Sequence, residues 1–346
     1  MKKTAKLTAL LLALAMALTL AACSSNPGAD NSPPPENSQT MESSAPENST
    51  PPAGDVKYTV GISQYVTHDA LDAATQGFID AMNKEFGEDG WTYDLQNAAE
   101  SSDLCSTIAQ TFVSNEVDLI MANATPALQA AAAATGDIPI LGTSVTEYGV
   151  AFGIQDFSGT LGTNVSGTSD LAPLGQQAQM IKEWYPEAKN IGLLYCSNED
   201  NSQYQVDTVQ GYLEDMGYTC KQYAFSDSND LAAVCQTAVD NSDVLYIPTD
   251  NKAAASTGTI DNICHGNIPV FCGEENICKG CGVATLSISY YDIGYKTGEM
   301  AAQILRGEAN VEEMAIQYAP AFVKKYNPDM CEALNITVPD GYEAVG

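Results

Sequence analysis

Apolar residues recur at helical spacing over 71–86, at Leu71, Ala74, Phe78, Ile79, Met82 and Phe86, just after a β-rich run at 56–62. The alternation continues with a strand at 92–95, a helix at 103–113 that Ser101 or Ser102 would cap, and a buried strand at 118–121. An Ala-rich helix at 128–135 and strands at 138–141 and 165–168 follow. The order then returns. Strands are predicted at 190–195, 218–224, 243–247, 268–271 and 283–287, with helices at 202–215, 230–239 and 252–263. A further amphipathic helix at 290–306 and a late strand at 321–326 complete the pattern. Strands alternating with helices of this length predict parallel, doubly wound α/β sheets. Ligands of such sheets gather where strand ends turn into helix starts.

The second half echoes the first in sequence as well as in pattern. QGFIDAM at 76–82 returns as QGYLEDM at 210–216. Asp103-Leu104, Gln110-Thr111 and Val113 are answered by Asp230-Leu231, Gln236-Thr237 and Val239. The strand beginning Asp118 is answered at Asp243, and Ile138-Pro139-Ile140 at Ile268-Pro269-Val270. An ordered repeat implies two similar lobes, expected at 56–166 with 289–312 and at 167–288 with 313–346. The chain would cross between them three times. A binding site in the gap is the first functional expectation.

Acidic residues outnumber basic ones 44 to 14, for a net charge of −30. That balance argues against nucleic acid or an anionic membrane surface as partner. Arg306 is the single arginine, so an anionic ligand group must be held without the usual guanidinium fork. Lys2, Lys3 and Lys6 precede an apolar run from 7 to 22, too short for a membrane span, that ends in Leu20-Ala21-Ala22-Cys23. That ending resembles a bacterial lipobox, which implies that residues 1–22 are a lipoprotein signal peptide with lipidation at Cys23; a plain secretory signal cut after Ala22 is the alternative. Residues 23–55 read as a disordered tether, since seven Pro and seven Ser fall within 24–55. As a coil the tether reaches roughly 30 Å. The folded part is then expected outside the cell, held to the outer face of the membrane through the lipid anchor only.

VGISQYVTHDALDAATQGF (60–78), NATPALQ (123–129), GTSD (167–170), YIPTDN (246–251) and SYYDIGYKTGEMA (289–301) together resemble the tryptophan/tyrosine-type ABC transporter substrate-binding proteins. The resemblance covers about 57–340 and implies the type I periplasmic-binding-protein fold. It further implies capture of a small molecule, with aromatic amino acids as the characterised ligands, and delivery to an ABC permease and its ATPase. The sequence departs from the pattern at Asp69, where Pro commonly follows the His, and at Glu147-Tyr148, which replaces Asp-Pro. The cysteine-rich segment 264–281 is also unusual.

Candidate ligand contacts sit at predicted strand ends. Gln64, Tyr65 and His68 occupy the first strand–helix loop, where a tyrosine face and an imidazole edge can hold an aromatic ring. Asn123 and Thr125, with Pro126, open the next helix. The N–H groups there suit a carboxylate, unless Thr125 simply caps the helix. Ser144 and Thr146 supply hydroxyls or form a turn. Ser169 and Asp170 follow the first crossover and serve the ligand amine or the hinge. Asp250 is placed to pair an α-ammonium, with an N-cap role for it or Asn251 as the alternative. Glu274 faces the gap by position only, and Tyr290 is favoured over Tyr291 as a pocket wall.

Ten cysteines leave nine once Cys23 is lipidated. The leading expectation is a disulfide of Cys264 with Cys278 or Cys281. No metal and no cofactor is expected. The chain has no G-x-S-x-G elbow, H-E-x-x-H or phosphate loop, and two histidines leave little for base catalysis, so an enzyme is not expected. A monomeric binder of a small zwitterion, foremost an aromatic amino acid, is. A branched-chain amino acid, sugar or nucleoside, or a ligand-sensing role, stands as the alternative.

Overall fold

The apolar runs and helical stripes close into two sheets in the computed structural model, which describes residues 57–346. The signal peptide, Cys23 and the tether lie outside the described residues. The first lobe runs through β1 (Tyr58–Gln64), α1 (Asp69–Phe86), β2 (Trp91–Asn97), α2 (Ser102–Ser114), β3 (Leu119–Asn123), α3 (Thr125–Ala134), β4 (Ile140–Val145), α4 (Tyr148–Ala151) and β5 (Val165–Ser169). The second runs through α5 (Leu174–Trp184), β6 (Asn190–Cys196), α6 (Asp200–Asp215), β7 (Thr219–Phe225), α7 (Ser228–Val239), β8 (Val244–Ile247), α8 (Asn251–Ala255), α9 (Thr257–Cys264), β9 (Val270–Cys272), α10 (Glu275–Cys281) and β10 (Ala284–Ser287). After these come α11 (Tyr290–Leu305), β11 (Gln317–Tyr318), β12 (Val323–Tyr326), α12 (Pro328–Ala333) and β13 (Glu343–Ala344).

The sheet orders are β11-β5-β4-β3-β1-β2 and β13-β12-β10-β9-β8-β6-β7. The one antiparallel pairing among the described residues is β12 against β10, and β13 follows the direction of β12. β3 is buried along its whole length, as a central parallel strand must be. Caps mark the helix starts: Leu104 N–H donates to Ser101 on α2, and Asp227 with Asp230 forms a capping box on α7. Although α11 follows the second sheet in sequence, it lies along α1 of the first lobe. Gly77, from the repeated QGF, and Gly294 permit that approach: a Cβ on either would strike the backbone of the opposite helix.

The three crossings expected from sequence therefore fall between β5 and α5, between β10 and α11, and between β11 and β12. The anticipated lobe boundaries shift. β5 stays in the first sheet to Ser169 rather than ending at 166, and β11 pairs with β5, so the last crossing follows Tyr318 rather than 312. A two-residue strand leaves no periodicity to read. The helix expected at 128–135 begins three residues earlier, at Thr125. The one expected at 252–263 breaks into α8 and α9 at Ser256, and the seven-residue α10 was not anticipated.

Candidate ligand-binding site

Parallel register levels the strand ends: Gln64 pairs with both Asn97 and Asn123. The loops beyond these ends, and those of the second sheet, carry the candidate residues. Gln64 is turned into its own lobe. Its amide donates to Val66 O and Asp72 Oδ1 and accepts from the Thr75 hydroxyl at 2.7 Å. Asn123 donates to Leu71 O and Thr75 Oγ1, while its Oδ1 has no partner. These two wire the first loop to α1 and β3. Tyr65 donates to Glu100 O, and burial and then the Glu199 charge from the other lobe push its hydroxyl pKa up.

His68 reaches across the gap, with Nε2 at 3.4 Å from Asn251 Oδ1. Its Nδ1 is buried without a partner. Burial lowers the ring to a pKa of about 4, against the pull of Asn251, Asp72 and Asp69, so the imidazole is neutral at pH 7. A second link spans the lobes where Gln129 donates to Asp200 Oδ2 at 2.9 Å.

α3 opens without a side-chain cap. The cap position is Ala124, held at φ 86, and Thr125 is the first helical residue with Pro126 beside it. The leading N–H groups of a ten-residue helix are thus free of any capping acid. Ser144 sits nearby in left-handed backbone (φ 54), where the β4–β5 register slips, and its Oγ is buried without a partner. Ser169 donates to Thr146 O and accepts from Leu171 N–H, which fixes it as a turn former.

Asp170 is 3% exposed. Tyr290, the first residue of α11, donates its hydroxyl to Asp170 Oδ2 at 2.9 Å, leaving Oδ1 with no partner. Burial raises the carboxyl's pKa, opposed by Tyr290 and Thr146. Tyr291 points away, at 39% exposure, and donates to Asp80.

In the second lobe the acids face backbone. Asp250 was expected to meet an ammonium; instead Oδ1 accepts from Ala253 N–H at 2.8 Å and Oδ2 from Cys196 N–H at 2.6 Å, the N-cap alternative. Glu274 caps α10 through Asn276 and Ile277 N–H, and burial lifts it to about 7. Glu199, which sequence reasoning passed over, is wholly buried and accepts from Asn251 N–H, Asn251 Nδ2 and Lys252 N–H. Burial and then Asp250 push it up to about 8. Its place just past β6, the repeat's counterpart of the loop after β1, was the signal that could have found it.

A cavity of about 470 Å³ lies at the hinge edge of the gap, lined among others by Asp69, Ala73, Glu274, Tyr290, Ala319 and Lys325. Of the candidates, only Glu274 and Tyr290 reach it. Arg306 pairs with Glu85 at the far end of α11. The expected Cys264 pairing with Cys278 or Cys281 is not formed: all nine cysteines of the described residues are free, and the Cys264 sulfur is 3.7 Å from Cys235. α9 packs on α7, which sequence proximity could not reveal.

A family model described as ABC transporter substrate binding protein matches residues 59–344. The tyrosine-binding protein of Clostridioides difficile (strain R20291) is 36% identical over 313 residues, 89% of this chain and 86% of the relative. An ABC domain from Streptococcus pneumonia, solved in complex with L-Trp, superposes with a TM-score of 0.78 at 29% identity, covering 82% of this chain and 96% of that one. The ligand-free, open structure of a Clostridium difficile substrate binding protein with adhesive properties is 37% identical, over 84% and 100% of the two chains, yet its TM-score is 0.63.

Proposed function

The chain belongs to the ABC transporter substrate-binding protein family, and from that membership we propose that it captures an aromatic amino acid between its lobes. Proteins of this family work outside the cytoplasm. The observation that carries the reading is Asp170, a buried carboxylate with an unpartnered Oδ1 at the hinge. An α-ammonium at that oxygen completes its hydrogen bonding and offsets its burial. The ligand carboxylate goes to the uncapped start of α3, with Ser144 Oγ as a further donor. Tyr65 and His68 flank the side chain, and Tyr290 orients Asp170. Asp250, Asn251 and Glu274 shape the second lobe's wall without gripping the ligand.

The names of two relatives support the ligand class: one binds tyrosine and one was solved with L-Trp. The lobes are drawn together, as the His68–Asn251 and Gln129–Asp200 links suggest. The poorer match to an open structure of higher identity supports the same state. The chain performs no catalysis. It hands its ligand to a permease driven by an ATPase, and a lipid on Cys23 keeps it at the outer face of the membrane.

Calorimetric titration of Phe, Tyr and Trp into wild type and Asp170→Asn tests this. The variant keeps the shape but loses the charge, so affinity falls by more than about tenfold. Unchanged affinity removes Asp170 as the ammonium partner. Stabilisation by ribose or galactose and by none of the three amino acids overturns the ligand class.

A further inference from the structure

Cys196, Cys235, Cys264, Cys272, Cys278 and Cys281 share one buried apolar cluster of the second lobe. Within it Cys235 on α7 and Cys264 at the end of α9 meet with Sγ atoms 3.7 Å apart, joining two different helices. We propose that Cys235 and Cys264 form an oxidisable dithiol that closes to a disulfide, joining α7 to α9 behind the ligand cleft. An S–S bond is about 2.05 Å long, so bonding needs an approach of about 1.7 Å, within reach of small side-chain rotations on two packed helices.

While α7 and α9 are still apart both thiols are open to solvent, and either can begin the exchange as its thiolate, Cys235 for example. It attacks one sulfur of a disulfide oxidant, forming a mixed disulfide and releasing one oxidant thiol. The Cys264 sulfur, giving up its proton, then attacks Cys235 Sγ and releases the second oxidant thiol. Two electrons pass to the oxidant, whose S–S bond is reduced to two thiols. Both residues are 0% exposed, so the exchange takes place as the lobe folds, before α7 and α9 are sealed together.

The bond would close a loop between residues 29 apart in sequence. That loop contains β8, the Thr249-Asp250-Asn251 turn and α8, so the staple holds the cleft wall rather than a remote surface. Oxidised and reduced protein should bind the same ligand, whatever its identity, but differ in stability.

The test is to refold the full chain with a small-molecule disulfide, block remaining thiols and map peptides without reduction. The expected product is a cross-link between the Cys235 and Cys264 peptides. Reduction should then lower Tm by about 5–10 °C, and Cys235→Ser should lose that dependence on reductant. Complete alkylation of both residues after oxidative refolding overturns the proposal. So does a cross-link confined to Cys272, Cys278 or Cys281. Because the map reads wild-type protein, failure of the variant to fold leaves the outcome decisive.

Discussion

The loops after β3 and β8 occupy matching places in the two repeats but have taken opposite chemistry. In the first lobe, Ala124-Thr125-Pro126 leaves the start of α3 bare of acid and the nearby Ser144 hydroxyl unpartnered. In the second, Asp250 and Glu199 converge on the start of α8, and Glu274 closes the next helix start at α10. A helix start that meets a carboxylate from its own chain has no need of one from a ligand. The scaffold was doubled, and the anion site was kept open on one side only. On the proposed reading, that asymmetry would direct a zwitterion with its carboxylate toward the first lobe.

The sharpest way to break this contrast is to strip the acid from the second loop. Asp250→Ala orphans the buried Cys196 N–H and uncaps α8, a cost of about 2–4 kcal/mol. Tm should fall by roughly 5–10 °C in a thermal-shift assay. A Tm within a degree of wild type would mean that the N-cap bonds carry no stability. The reciprocal change gives the first loop the chemistry of the second. Thr125→Asp supplies α3 with its own anion, so apo stability holds or rises while the ligand carboxylate meets a like charge. Amino acid affinity should drop by about tenfold or more, on the order of 1.5–2.5 kcal/mol. Equal affinity would place the ligand carboxylate elsewhere.

Much of the frame was legible because it repeats. Two copies of one βα pattern, marked by QGFIDAM and QGYLEDM, fix two lobes and the places of nearly every strand. What escaped was short or set by contacts distant in sequence. β11 has two residues, and α10 reads ENICKGC, with too few positions to show a helical stripe. The roles within the site were harder still. Asp250 and Asp170 both stand just past strand ends, and only the folded chain decides which has Cys196 N–H within reach and which keeps an oxygen free. The cysteine contact between α7 and α9 was hidden for the same reason.

His68 supplies the mildest test, because it belongs to neither loop yet touches the acid-rich one through Asn251. Its ring is held near a pKa of about 4, against an ordinary 6.5. Between those values the opened form takes up a proton that the closed form refuses. Closure is therefore undisturbed above pH 6.5 and weakens as pH falls toward 4. The charged neighbours on α1, Asp69 and Asp72, already favour the proton, so burial against the second lobe is what keeps it off. Ligand affinity at pH 5 should be about tenfold weaker than at pH 7.5. His68→Gln should flatten most of that slope while leaving affinity at pH 7.5 within a few fold. A fall in affinity toward pH 5 that persists unchanged in the variant would remove His68 as its source, whereas a loss of affinity as pH rises would point to Glu199 or Glu274. Their raised pKa values penalise the folded state as pH climbs toward about 8 and about 7, the opposite sign. The direction of the slope thus separates a latch across the gap from strain held within the second lobe.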